Sequence, residues 1–267
     1  MKKNILTILL SVYCIFQCYC YANAQSTDTF LKDSFVANGD TLRYRIMYPK
    51  DFNSDKKYPF LLFLHGAGER GRDNEKQLNN GADSLLRQAS EQYHAIVIAP
   101  QCPPNEYWAK VRRVETPNER YIISLTFFPD GKPIQPMVNL MQLVENFAKE
   151  KYIDKKQMHI GGLSMGGIGT YEFLIRKPDI FASAFVICGA TNLITLKRNI
   201  NKKMPIWIFH GTDDNVISVD YGRQISSELK TQNKSVKYTE YPKTGHNSWD
   251  SAFKEKELLP WLFSFKK

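Results

Sequence analysis

The chain predicts an α/β fold, a mostly parallel sheet with helices on both faces, and two observations carry that prediction. Short, nearly continuous apolar runs recur at residues 58–64, 95–99, 183–187 and 205–209. Strands this apolar on both sides belong in a parallel sheet covered above and below. Between them lie stretches with helical spacing of apolar residues, and buried strands alternating with amphipathic helices give the layered arrangement.

Taken in order, residues 35–48 read as an opening hairpin with an Asn38-Gly39-Asp40 turn, in which Leu42, Tyr44 and Ile46 alternate with polar neighbours. The runs at 58–64 and 95–99 follow as the first two buried strands. A long connection from Cys102 to Pro136 has no helical period and carries Tyr107, Trp108, Tyr121, Phe127 and Phe128. A connection of this length either serves function or packs on the surface as a buttress. Met137, Leu140, Met141, Leu143, Val144 and Phe147 then mark one face of a helix. A short strand-like Met158-His159-Ile160 leads into a glycine-rich turn, and a second helical pattern covers 165–175. The strands at 183–187 and 205–209 are joined by residues 189–204, room for one helix, and a further helical segment spans 219–229.

The chain has 267 residues, 43% hydrophobic against 24% charged, so it holds enough apolar material for a full core. No Pro/Gly/Ser-rich linker divides it, which predicts a single domain. The formal charge of +9 would suit a polyanion if the basic residues were concentrated. Instead Lys56/Lys57, Arg112/Arg113, Lys155/Lys156 and Lys202/Lys203 lie far apart with acids between them, which reads as a solvated surface and excludes a nucleic-acid stripe.

Lys2 and Lys3 precede an apolar run from Ile5 to Phe16, and Ala22-Asn23-Ala24 places small residues where a signal peptidase reads them. Residues 1–24 are therefore expected to be a signal peptide cleaved after Ala24, and 25–267 the exported domain. The run is too short for a stable membrane anchor, which needs about 20 apolar residues. Cleavage removes Lys2 and Lys3, leaving 243 residues with the charge lowered from +9 to +7, and only Cys102 and Cys188 remain of the cysteines. Two cysteines are no disulfide framework, and neither CxxC pairs nor HExxH spacing supports a metal centre.

The chemistry concentrates at Gly161-Gly162-Leu163-Ser164-Met165-Gly166-Gly167, a G-x-S-x-G pattern between a strand and a helix. A serine held on so sharp a turn crowds the positions two before and two after it, and both are glycine. A serine hydroxyl is barely ionised at neutral pH and needs a base, which in turn needs a carboxylate to fix its tautomer. Of the five histidines, His65 and His210 stand where buried strands end, His94 precedes a strand and His159 lies within one. Only His246 occupies a loop near the C-terminus, and the order serine, acid, histidine selects it as base. For the acid, Asp213 and Asp214 both follow the 205–209 strand, at the end of the sheet where catalytic side chains collect. One is the acid, and the other a turn former or helix cap.

These residues resemble the α/β-hydrolase superfamily. More narrowly, they are similar to secreted predicted esterases of the phospholipase/carboxylesterase-like kind, related to feruloyl, acetyl xylan and polyhydroxybutyrate esterases. The matching pieces are Leu64-His65-Gly66-Ala67-Gly68-Glu69-Arg70-Gly71, Ala99-Pro100-Gln101-Cys102-Pro103, Gly162 to Gly166, His210-Gly211 with Asp214, and Gly245-His246. The resemblance implies an α/β-hydrolase fold without a large lid, since 189–204 is too short for one, and without room for an added propeller. It selects Asp214 over Asp213, gives the oxyanion site to the backbone N–H groups of Ala67 and Met165, and leaves His65 structural. Its strand order places Cys102 and Cys188 three strand spacings apart, roughly 14 Å. A disulfide spans at most ~7 Å between Cα atoms, so two free thiols are expected.

The expected activity is that of an exported serine esterase using Ser164, His246 and Asp214 with no cofactor, on small or polysaccharide-linked esters such as feruloyl or acetyl groups. A serine peptidase with the same three residues, or a carbohydrate-binding protein that lost turnover, are the alternatives. Trp108 and Trp249 are candidate substrate contacts, with core packing the competing reading for each.

Overall fold

The computed structural model describes residues 29–37, 39–115, 123–128, 131–232 and 235–267. The expected signal peptide with its cleavage site at Ala24, the turn residue Asn38, and Tyr121 of the long connection lie outside the described residues.

Eight strands form one sheet. In chain order they are β1 (Leu31–Ala37), β2 (Asp40–Met47), β3 (Tyr58–Leu64), β4 (Ile96–Pro100), then, after a separate hairpin of β5 (Val111–Glu115) and β6 (Ile123–Phe127), β7 (Ile153–Leu163), β8 (Ser183–Ile187), β9 (Ile206–Gly211) and β10 (Val236–Tyr241). Their spatial order is β1-β2-β4-β3-β7-β8-β9-β10. Among the described residues of this sheet only β1/β2 and β2/β4 pair antiparallel, and the pairs β4/β3, β3/β7, β7/β8, β8/β9 and β9/β10 are parallel. The mostly parallel sheet follows from strands such as β3, whose side chains are buried on both faces: Phe60, Leu62 and Leu64 enter one core, Leu61 and Phe63 the other.

Helices cover both cores. The first is closed by α2 (Gln135–Phe147), α3 (Met165–Arg176), α4 (Leu193–Asn199) and α5 (Val219–Lys230), through residues such as Leu140, Tyr171, Leu196 and Ile225. The second is closed by α1 (Ala82–Tyr93), α6 (Trp249–Ala252) and α7 (Leu258–Phe263), through Leu85, Ala252 and Leu262. The connection between β8 and β9 holds α4 alone, which leaves no lid there.

Three expectations change. The opening hairpin exists as β1/β2, but β2 does not alternate between core and water: Arg45 is buried on the face opposite Tyr44, where its guanidinium donates to Asn74 O. The 102–136 connection is not irregular throughout, because β5 and β6 pair within it, with Arg113 opposite Leu125. The strand before the serine is longer than Met158–Ile160: it spans Ile153–Leu163, with Ile153 paired to Tyr58 and a register shift before Met158 pairs with Phe60. As the resemblance implies, β3 and β7 separate the strands that precede Cys102 and Cys188, and both cysteines are free and buried.

Candidate active site

The site gathers at the carboxyl ends of the parallel strands, where loops leave the sheet. Ser164 is the single residue between β7 and α3, with φ +52° and ψ −116°, a left-handed conformation that costs a non-glycine residue about 1–3 kcal/mol. The surroundings hold it there. Its N–H donates to Ile187 O at 2.9 Å and its carbonyl accepts from Ile168 N at 3.0 Å. The flanking glycines are required by close approach: a Cβ on Gly162 would lie 2.5 Å from Gly166 O, and one on Gly166 would lie 1.9 Å from Leu64 O on β3.

His246 reaches Ser164 from the loop after β10, with Nε2 2.8 Å from Oγ. On its other side Nδ1 lies 2.8 Å from Asp214 Oδ2. An ionised carboxylate only accepts, so Nδ1 carries the proton and donates it to Asp214, and Nε2 is left as an acceptor for the serine hydroxyl. Asp214 is buried behind β9, and its Oδ1 accepts from the N–H groups of Val216 and Ile217, both at 2.9 Å. Asp213 is exposed and accepts from the Thr212 hydroxyl in the same turn, so it is the turn former of the two. The helix-capping alternative falls to Ser218, whose Oγ accepts from Asp220 N at the start of α5.

Burial works against a charge on Asp214, but hydrogen bonds from His210 and His246 outweigh it and hold the carboxyl well below the usual carboxylate range. Burial likewise opposes protonation of His246. The neighbouring Cys188 and the Asp214 carboxylate overcome it, and the imidazole pKa is raised. His65 is structural in its bonding: Nε2 accepts from Cys102 N at 2.9 Å while Nδ1 lies 2.6 Å from Gly66 O, tying the end of β3 to the end of β4. Full burial lowers its pKa to about 4.

A cleft of about 330 Å³ opens over Ser164 and His246, within the size range of small-molecule sites. Ala67 lines it at the start of a 3-10 turn, and Met165 begins α3 directly after the serine; these are the two positions at which the resemblance puts the oxyanion donors. Trp249 lines the cleft as well, its ring edge-on to His246 at 5.5 Å. Trp108 does not. It is fully buried beneath the cleft, its Nε1 donating to His65 O and its Cβ packed against the Gly169 position of α3, so the substrate contact expected of it is withdrawn. The long connection supplies other residues that sequence reasoning missed: Tyr107, Arg113 and Leu125 all line the cleft, joined by Glu69, Val216 and Ile217. A larger cleft of about 480 Å³ between α1 and the C-terminal helices contains none of the three polar residues.

Among the described residues, one group brings three metal-ligating atoms together, Cys188, Asp214 and His246, all within 4.8 Å of one another. The carboxylate and imidazole are 2.8 Å apart, whereas two ligands on a zinc ion at roughly 2.0–2.2 Å sit roughly 3.3–3.6 Å apart. The spacing is that of a proton-linked pair.

Residues 132–257, which contain Ser164, Asp214 and His246, match the Phospholipase/Carboxylesterase family model. Lysophospholipase-like protein 1 of Mus musculus is 24% identical over 192 residues, 70% of this chain and 79% of that protein. A solved thermostable esterase superposes with TM-score 0.76 at 35% identity, covering 90% of this chain, which spans only 64% of that one. A ferulic acid esterase structure superposes with TM-score 0.61 at 17% identity, covering 88% of this chain and 98% of that one, a likeness of fold. With the parallel sheet and the serine turn at its carboxyl edge, these findings show that the chain belongs to the α/β-hydrolase superfamily, as a carboxylic ester hydrolase.

Proposed function

We propose that this protein is an exported serine esterase that works through an acyl-enzyme on Ser164. The observation that carries the reading is the continuous bonding from Ser164 Oγ through His246 to Asp214, 2.8 Å at each step. Ser164 Oγ attacks the ester carbonyl carbon as His246 Nε2 takes its proton, and the Ala67 and Met165 N–H groups receive the negative charge that forms on the carbonyl oxygen. The C–O bond to the alcohol breaks as His246 returns the proton to it. Water then attacks the acyl-enzyme by the same route in reverse, releasing the acid and restoring the serine hydroxyl. Asp214 holds the imidazole with Nε2 toward the serine and stabilises the imidazolium.

The natural substrate in this reading is an acyl ester of a small alcohol or of a polysaccharide, feruloyl or acetyl in kind. The shared fold with a ferulic acid esterase and the aromatic lining by Tyr107 and Trp249 support it. Export rests on the amino-terminal pattern ending at Ala24.

The test is a panel of p-nitrophenyl acetate, butyrate and longer esters with methyl ferulate, beside aminoacyl anilides, on wild type and Ser164→Ala. Ester turnover lost in the variant, with little anilide cleavage, is expected. Equal slow hydrolysis by both proteins refutes the mechanism, and preferential anilide cleavage refutes the substrate class. Export is tested by fractionating expressing cells. The expected result is a mature protein outside the cytoplasm beginning at Gln25, and a full-length chain in the cytosol contradicts it.

A further inference from the structure

One wall of the cleft is cationic. Arg113, on β5, sits opposite Leu125 of β6, and both side chains line the cleft with Ser164 and His246. Its guanidinium is exposed and lies over the Tyr107 ring, 5.4 Å from the centroid. Among the described residues no carboxylate pairs with Arg113, and Tyr107 Oη makes no hydrogen bond. Arg70 is bonded to the carbonyl of Glu106, the residue before Tyr107. Its Nε donates to Ala67 O at 2.8 Å and a terminal nitrogen to Glu106 O at 3.3 Å, so backbone carbonyls hold it. Burial pushes the Tyr107 pKa up, while the charges of Arg113 and Arg70 both act to lower it.

Glu69 is the one acid among the cleft's lining residues, and among the described residues no ion pair joins it to Arg113. Its Oε1 accepts from Asn80 Nδ2 at 2.9 Å, and burial raises its pKa. Among the described residues the cleft thus presents a guanidinium with no carboxylate partner and a phenol hydroxyl with no hydrogen bond, in the same lining as the nucleophile. A carboxylate fits that set: it accepts two parallel N–H bonds from a guanidinium fork and a third from a hydroxyl.

We infer that the cleft selects esters that carry a carboxylate close to the scissile bond, docked on Arg113 and Tyr107 with Arg70 adding to the field. This specificity rests on Ser164 being an esterase nucleophile. The carboxylate can belong to the acyl chain or to the alcohol, and the geometry recognises the same anion in either position.

Three chromogenic esters separate the cases: p-nitrophenyl butyrate, mono-p-nitrophenyl glutarate with the carboxylate on the acyl side, and 3-carboxy-4-nitrophenyl butyrate with it on the leaving group. The readout is kcat/KM for each charged ester divided by that for the neutral one, so that intrinsic reactivity cancels when proteins are compared. Arg113→Gln is expected to lower one of the two ratios by about tenfold or more, the size of one lost charge-assisted bond, and the ratio that falls identifies the side. Raising wild-type assays from low salt to 0.5 M is expected to lower the same ratio through screening, which keeps the test valid if the variant folds poorly. Ratios unmoved by both the substitution and salt overturn the inference while leaving the esterase reading intact. Absence of hydrolysis of all three esters by wild type overturns the esterase reading, and the specificity with it.

Discussion

His210 and His246 meet on one carboxylate oxygen: Asp214 Oδ2 lies 3.2 Å from His210 Nε2 and 2.8 Å from His246 Nδ1. His210 Nε2 also lies 3.0 Å from Ile217 O, so that nitrogen carries its proton and shares it between two acceptors. The buried acid is thereby oriented from the strand side by His210 and from the loop side by the Val216 and Ile217 N–H groups. His210 acts through Asp214 and touches neither serine nor substrate, which makes it a positioning residue.

Losing the His210 donor should cost about tenfold to a hundredfold in kcat/KM, the range for a hydrogen bond to a charged group. His210→Leu is expected to show that loss together with an upward shift of the acid limb of the pH profile, because a less satisfied carboxylate holds the His246 proton more tightly. His210→Gln, which keeps a donor, should recover much of both. A uniform loss in the two variants with no pH shift argues for packing alone.

The pH profile tests the His246 environment directly. The base must be neutral to accept the Ser164 proton, and its pKa is raised from the ordinary 6.5, so kcat/KM should rise with pH along a limb centred above 6.5. In Asp214→Asn the raising carboxylate is gone, and that limb should move down while kcat falls by about 10⁴. An acid limb below 6.5 in wild type, or one unmoved in the variant, contradicts the assignment.

Buried neutral histidines set acid stability. Burial lowers the pKa of His65 to about 4 and of His159 to about 3. The unfolded chain therefore takes up these protons first, and stability present above pH 6.5 is lost as pH falls from 6.5 toward the folded values. Asp214, whose folded pKa is depressed, adds a loss at lower pH, below the ordinary carboxylate value near ~3.9. His159 Nδ1 donates to Ser183 Oγ, which itself donates to Leu262 O. His159→Gln should lower Tm at pH 7 yet flatten its fall between pH 6.5 and 4. An equal slope in wild type and variant removes His159 from the account.

What could be read from the sequence divides along a physical line. Ser164, Asp214 and His246 are legible because each sits at a strand end marked by local chemistry: glycines that permit a close approach, an aspartate after a buried run, a histidine in a polar loop. Tyr107 and Arg113 are not, because nothing in the linear order of residues 102–136 says that β5 and β6 pair and bring position 113 into one cleft lining with position 246. Trp108 shows the same limit from the other side: a large apolar residue in a long connection carries no sign of whether it faces a cleft or, as here, the underside of α3. The parallel core is plain from doubly buried strands such as β3 and β8. β10 is hidden because its Val-Lys-Tyr-Thr-Glu-Tyr sequence is an edge strand, half-buried along most of its length.

The serine turn makes a steric prediction. Gly166→Ala would place a methyl group 1.9 Å from Leu64 O, backbone against backbone, so the variant should fail to fold or lose several kcal/mol of stability. Gly245→Ala, beside His246, meets nothing nearer than Asn247 Oδ1 at 3.7 Å and should fold normally. Denaturant unfolding of the two variants decides it, and a Gly166→Ala protein of wild-type stability contradicts the packing between β3 and the serine turn.

The central claim is that Ser164 is a nucleophile activated by His246. It is tested most directly by treating the protein with a fluorophosphonate, which phosphonylates activated serines, and mapping the adduct by mass spectrometry. One adduct per chain is expected, on Ser164, with ester hydrolysis lost in proportion to labelling, no adduct in Ser164→Ala and slow labelling in His246→Ala. An adduct on another residue, or full activity after stoichiometric labelling of Ser164, contradicts it.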